Sequence, residues 1–311
     1  MASPFTRLLY LGNVVVDVVL EVPALPEPGG DVLATRAGTA AGGGFNVMAA
    51  AARLGLAVAY GGVLGTGPFA ALARAACAAE GIGVLQPPRP GQDTGFVVSV
   101  VDGTGERTFL TSRGAEATLT AADLEPVRPA PGDAVCLSGY GLAHPSNAAA
   151  LPGWLGGLGG DHLVAFDPGP LAGVLPADAL ARVLDRADWL TCNARESALL
   201  TGLADPQDAL RVLAARLPRA GILVRTGQSG CLLGRPGSRP RHIPGFPVEP
   251  VDTNGAGVTH PGAFLAALAS GAGPMGAARQ ANAAAALSVT RHGPATGPTR
   301  AELAQFLASR P

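Results

Sequence analysis

A Gly-Ala-Gly turn that runs straight into an apolar, alanine-rich segment, Gly255-Ala256-Gly257 followed by residues 258–268, constrains this chain more than any other stretch. The segment predicts a helix. A helix start leaves its first backbone N–H groups without intrahelical partners, with the positive end of the macrodipole behind them. A side chain at position 255 or 257 would hold an oxyanion away from those amides, so the small residues imply an anion site. Taken alone, the stretch is also explained as an ordinary capped junction between loop and helix.

The rest of the chain narrows what that anion is. With 311 residues it is long enough for a large core, and α/β folds of this size often form one domain, here spanning 1–311. A net charge of -1 gives no electrostatic case for nucleic acid or an anionic membrane, leaving small-molecule chemistry. All 22 basic residues are arginine. Without lysine there is no Walker A amine, no strand lysine of a protein kinase and no pyridoxal-phosphate Schiff base. A phosphate must therefore be held by backbone amides, arginine or metal. High Gly, Pro and Ala beside arginine also fits a GC-rich genome.

Cys77, Cys136, Cys192 and Cys231 stand far apart and read as buried thiols in a reducing compartment. His144, His162, His242, His260 and His292 lack metal-ligand spacing, which argues against a structural transition metal. The first residues lack the features of a secretory signal, and no apolar run reaches about eighteen residues. The expectation is a soluble, cytoplasmic protein.

Residues 7–16 read as one buried central strand with the polar Asn13, followed by Asp17, at its end, where open α/β sheets place ligand contacts. Residues 31–36 read as a short strand leaving the main sheet, and residues 94–111 as a β-hairpin turning at 102–105. Gly42-Gly43-Gly44-Phe45-Asn46 leads into a helix over 47–54, permitting close backbone approach to a ligand beside an amide that can donate and accept. Gly65-Thr66-Gly67-Pro68-Phe69-Ala70 formally satisfies a dinucleotide fingerprint. It lies outside the first βα turn and lacks the following acid, so a nicotinamide fold is disfavoured. From residue 120 strands and helices alternate, implying a parallel sheet covered on both faces. Asn193-Ala194-Arg195-Glu196 follows a strand and opens a helix, placing amide and carboxylate on one face; a helix cap explains it equally well.

Several of these stretches carry a resemblance. Asp252-Thr253-Asn254-Gly255-Ala256-Gly257 resembles the second signature, D-T-x-G-A-G-D, of the ribokinase-like sugar and nucleoside kinases, the PfkB family. Gly42 to Asn46 resembles the first signature, 193–196 the N-x-x-E motif, and 226–230 the nucleotide loop. The resemblance implies a ribokinase-like α/β fold: a mostly parallel central sheet between helices, with a small β-lid from about 31–36 and 94–111. It implies ATP-dependent transfer to a primary hydroxyl of a sugar or nucleoside, with Mg²⁺ and, at a candidate site near Asp252, K⁺. By the same carry-over, Asn13, Asp17, Gly42, Gly43 and Asn46 bind the polyol, and Gly255, Ala256 and Gly257 form the anion hole. Thr226, Gly227, Gly230 and Asn282 face the nucleotide, while Asn193 and Glu196 organise Mg²⁺-bound water. A homodimer through an exposed lid edge also fits.

One position departs from the family pattern: where it has the aspartate acting as catalytic base, this chain has Val258. General-base catalysis is worth about 10²–10⁴-fold, so a valine there implies crippled turnover with binding largely kept. Three accounts follow: a change that traps substrate, a catalytically silent binding or regulatory protein, or another base, with Asp252 and His260 as candidates. Pro261 is expected in the first helical turn, where it costs no hydrogen bond.

Overall fold

The computed structural model describes residues 5–252, 255–293 and 295–310. Thr253 and Asn254 of the Gly-Ala-Gly motif lie outside the described residues, as do Met1 to Pro4, Pro294 and Pro311. In chain order the first half holds β1 (Arg7–Tyr10), β2 (Val14–Glu21), β3 (Arg36–Gly43), α1 (Gly44–Arg53), β4 (Ala57–Tyr60), α2 (Pro68–Ala79), β5 (Gly83–Val84), β6 (Phe96–Val101), β7 (Arg107–Ser112), α3 (Ala121–Leu124), β8 (Asp133–Ser138), α4 (Gly139–Leu142) and α5 (Pro145–Gly156). The second half holds β9 (Leu163–Asp167), α6 (Ala177–Arg186), β10 (Trp189–Asn193), α7 (Ala194–Thr201), α8 (Pro206–Arg216), β11 (Gly221–Arg225), β12 (Gly230–Gly234), β13 (Arg241–Pro244), α9 (Ala256–Ala269), α10 (Pro274–Ser288) and α11 (Arg300–Ala308).

Nine strands form the main sheet in the order β13-β12-β11-β10-β9-β8-β1-β4-β5. All its pairings are parallel except β11–β12 and β12–β13. Helices cover both faces, each face with its own apolar cluster, one around Tyr60, Met48 and Phe264 and the other around Phe166, Leu137 and Leu151. This is the layered α/β fold that the alternation of elements implies. Because β1 sits between β4 and β8, the chain reverses its direction of travel across the sheet there, and a crevice opens at the C-terminal ends of β1 and β8.

The start of the chain differs from its reading as one strand. The apolar run breaks after β1 at Leu11-Gly12-Asn13, and β2 belongs to a second, four-stranded sheet ordered β3-β2-β6-β7. Val14 to Leu20 reads equally well in either sheet, so the apolar pattern could not place the break. The lid strand also lies later than the expected 31–36: it is β3, running from Arg36 into the glycine stretch, and residues 31–35 form no strand. The β6–β7 hairpin falls within the expected 94–111 to within one residue.

Helix α9 is apolar on nearly every face because it is enclosed on nearly every side, with Phe264 and Leu265 fully buried. It crosses α1 so closely that a Cβ at Gly262 would lie 2.3 Å from the Val47 carbonyl oxygen. Its N-cap, Gly255, sits at φ 84°, a left-handed conformation glycine adopts without strain. Pro261 falls in the second turn, not the first, since the helix begins at Ala256. There it cannot donate to the Gly257 carbonyl, and the helix gives up one internal hydrogen bond.

Candidate functional site

Parallel strands deliver their polar termini to one edge. Ser138 and Asp167 are in register at the ends of β8 and β9, as are Asn193 and Arg225 at the ends of β10 and β11. Arg225 is the centre of this row. Its guanidinium donates from Nη1 to Asp167 Oδ2 at 2.8 Å and from Nη2 to Glu196 Oε2 at 3.2 Å. Thr191 Oγ1 and the Gly169 amide also donate to the Asp167 carboxylate. Glu196 and Asn193 form a complete capping box on α7: Glu196 N donates to Asn193 Oδ1 and Asn193 N to Glu196 Oε2, both at 2.8 Å. Burial raises the Glu196 carboxyl above its usual range, the Asp167 charge adds to that, and Arg225 opposes it. The capping explanation of 193–196 thus holds, and Glu196, which caps the helix, also takes part in the charged row through Arg225.

Beside this row lies a cavity of about 570 Å³ lined by Asn193, Arg225, Gly227, Gly230, Ala256, Gly257, His260 and Asn282 on its polar side. Phe246, Val248, Ala285, Ala286 and Val289 make the apolar side. The α9 N-terminus opens into it. The first amides returned to the chain are those of Val258 and Thr259, both bonded to Gly255 O, and among the described residues nothing accepts from Ala256 or Gly257. A Cβ at Gly257 would meet no atom of the described residues outside its own helix backbone and chain neighbours within 4 Å. Val258 is half-buried and packs against the apolar core.

The remaining sequence candidates on this side divide. Gly230, at φ 101°, turns the chain between β11 and β12, and a Cβ there would lie 2.2 Å from Ile243 O. Thr226 spends its hydroxyl on Gly230 O at 3.0 Å, closing the loop, and does not line the cavity. Asp252, the candidate K⁺ ligand, is ion-paired with Arg107 of the lid at 2.5 Å and accepts from the Gly293 amide at 3.1 Å.

A second cluster gathers the polyol candidates where β1 gives way to β2. Gly42 lies against Asp17, so that a Cβ there would come within 2.2 Å of Oδ2. Gly43, at φ 61°, presses on the Asn13 carbonyl, which accepts from Gly44 N at 2.7 Å. Asp17 has no hydrogen-bond partner among the described residues, and burial pushes its carboxyl up to about 6. Asn46, in the first turn of α1, has a buried Oδ1 with no partner among the described residues. Asn13 Nδ2 donates to Tyr140 O at 3.3 Å and meets His144 Nε2 at 2.8 Å. Unsatisfied buried acceptors are what hydroxyl donors would complete.

The comparisons with known proteins place the chain in a family. The model of the pfkB family carbohydrate kinases matches residues 6–301. The chain belongs to this family. It is 33% identical to the uncharacterized sugar kinase YegV of Escherichia coli, covering 95% of this chain and 92% of that protein. It is 30% identical to a ribokinase of Haemophilus influenzae over 96% and 98% of the two chains. The crystal structure of a Thermotoga maritima ribokinase superposes with a TM-score of 0.85 at 26% identity, over 98% and 99% of the chains. That of Arabidopsis thaliana ribokinase complexed with ribose and ATP gives 0.78 at 26%, over 99% of each.

Within the pfkB-family fold, sequence reasoning missed three groups. Asp167 and Arg225 were assigned no role, although a charge closing an apolar strand is a readable signal in Leu163–Asp167 and Gly221–Arg225. His144 had no such signal, since only the fold brings it to Asn13. The near-fingerprint at 65–70 is explained locally: the Asp93 carboxylate accepts from Phe69 N and Ala70 N, filling the α2 N-terminus that a dinucleotide phosphate would need. No helix among the described residues is long and apolar enough to cross a membrane.

Proposed function

We propose that this chain binds ATP in the α9 cavity and a sugar or nucleoside between the two sheets, as a scaffold for phosphoryl transfer to a primary hydroxyl. The observation that carries this reading is the pair of amides at Ala256 and Gly257, which have no acceptor among the described residues and face a cavity with an apolar wall and a buried guanidinium. Amides fixed in advance stabilise charge developing on phosphoryl oxygens without reorganising during the reaction. Asp17 and Asn46 Oδ1 would accept from acceptor hydroxyls, orienting the one that attacks.

Asp167 and Glu196 share the single positive charge of Arg225, which leaves one negative charge in excess beside the cavity. That donor set fits a divalent ion held through water alongside a polyphosphate, where it would neutralise phosphoryl charge. No cluster of three His, Cys, Asp or Glu among the described residues could hold a metal by itself.

The attacking alcohol must lose a proton, and Val258 offers no acceptor for it. Nor do the alternatives. Asp252 is engaged by Arg107, and burial lowers the His260 imidazole to about 3. We therefore read the chain as competent to bind and crippled in turnover. The same facts favour a second reading, a silent protein that signals by binding. ATP turnover by this chain and by Val258→Asp, with Mg²⁺ and K⁺ over ribose, fructose-type sugars, nucleosides and pseudouridine, separates the two. A gain of about 10²-fold or more on one substrate supports the kinase. No turnover by either protein, with stabilisation of both by a ligand, supports the silent binder. The reading also includes a homodimer through the lid, whose β7 exposes Phe109 and Leu110; sedimentation at varied concentration tests it.

A further inference from the structure

The polar floor of the α9 cavity has a proton arrangement that its hydrogen bonds define. Asn282 Nδ2 donates to two backbone carbonyls, Ile243 O and Pro244 O, both at 3.0 Å. Carbonyl oxygens only accept, so the amide has one sensible orientation and its Oδ1 faces His260 Nε2 at 2.9 Å. An oxygen facing a ring nitrogen requires that nitrogen to carry the hydrogen. Burial, reinforced by the charge on Arg225, keeps His260 neutral. The single ring proton is therefore on Nε2, and Nδ1 is a bare lone pair. His260 is 3% exposed, and Nδ1 has no partner among the described residues. A buried acceptor without a donor is unfavourable and uncommon, and His260 is among the residues that line the α9 cavity of about 570 Å³.

We propose that His260 Nδ1 accepts a hydrogen bond from a donor on the nucleotide, an exocyclic base amine or a ribose hydroxyl, and so selects nucleotides that carry it. The inference rests on the cavity being the ATP site. A deprotonated phosphate oxygen or a base carbonyl has no hydrogen to give, and either would face the lone pair repulsively. His260 thereby orients the nucleotide as a specificity residue that touches ligand and takes no part in proton transfer.

The test is titration calorimetry on the full chain with ATP, purine riboside triphosphate, which lacks the amine, 2′-deoxy-ATP, 3′-deoxy-ATP and GTP. ATP should bind, and one of the analogues lacking a donor should bind about tenfold more weakly. The analogue that suffers names the donor. In His260→Phe, which keeps ring volume but removes the acceptor, the difference between ATP and that analogue should disappear. Equal binding of all five nucleotides by the wild-type chain overturns the inference while leaving the ATP reading intact. So does a difference that persists in His260→Phe. Failure of ATP itself to bind overturns both. If His260→Phe does not fold, ¹⁵N spectra of the wild-type imidazole decide: a hydrogen on Nδ1 in the free protein refutes the proposal, and Nδ1 bare in the free protein but hydrogen-bonded with ATP bound supports it.

Discussion

Asp17→Asn should make the ligand-free protein more stable near neutral pH while abolishing its grip on the acceptor. Burial raises the Asp17 carboxyl from 3.8 to about 6, with no cation or donor offsetting it. At about 1.4 kcal/mol per tenfold change in proton affinity, ionising it in place costs about 3 kcal/mol, and solvent reaching this half-buried group cuts that to about 1–2 kcal/mol. The native carboxyl holds its proton more tightly than the unfolded chain does. Stability therefore falls as pH rises from about 4 to about 6 and stays lowered above that. Asparagine has the same shape and no charge, so the cost vanishes. Urea unfolding of both proteins without ligand, at pH 4 and pH 7.5, isolates the effect, because every other titrating group cancels in the comparison. The advantage of Asp17→Asn should be about 1–2 kcal/mol larger at pH 7.5 than at pH 4. A difference independent of pH would refute the reasoning, whatever its sign.

Two further substitutions probe the same edge. Arg225→Gln leaves Asp167 and Glu196 without their shared cation and should cost about 3–5 kcal/mol at pH 8. Because burial already raises the Glu196 carboxyl, the loss should shrink at pH 5, as chemical denaturation at the two values will show. Gly42→Ala puts a methyl group into the Asp17 carboxylate and should weaken acceptor binding about tenfold or more, while nucleotide binding in the α9 cavity persists. Loss of both activities in calorimetry would mean that the two clusters are not separate sites.

The parts of the fold written locally in the chain were legible. Alternating apolar runs and turn residues from 120 onward predict the parallel sheet, and Gly255-Ala256-Gly257 predicts the α9 start to within two residues. What could not be read was the partner of a strand. Val14–Glu21 is apolar enough for the main sheet and pairs instead with β3 and β6, because Gly12 and Asn13 let the chain leave β1. The candidate site was legible where a motif names a residue, as at Asn46 or Glu196. Charges made meaningful by neighbours far along the chain were not. Arg225 matters because 58 residues separate it from Asp167 and the sheet brings them to 2.8 Å. That Val258 carries no titratable group was visible at once, whereas the commitment of Asp252 to Arg107 required the lid in place.

The break between β1 and β2 makes one stretch of backbone both the end of the main sheet and the beginning of the lid. Asn13 and Asp17 lie on either side of that junction, and Gly42 closes on them from the neighbouring lid strand. A ligand seated there is a rivet through two plates. Its binding free energy includes whatever it does to the angle between them, and by reciprocity any change that fixes the angle alters affinity. The Arg107–Asp252 ion pair, made by the first residue of β7, is such a clamp. Strengthening or releasing it should tune how tightly a polyol is held without altering one atom that touches it.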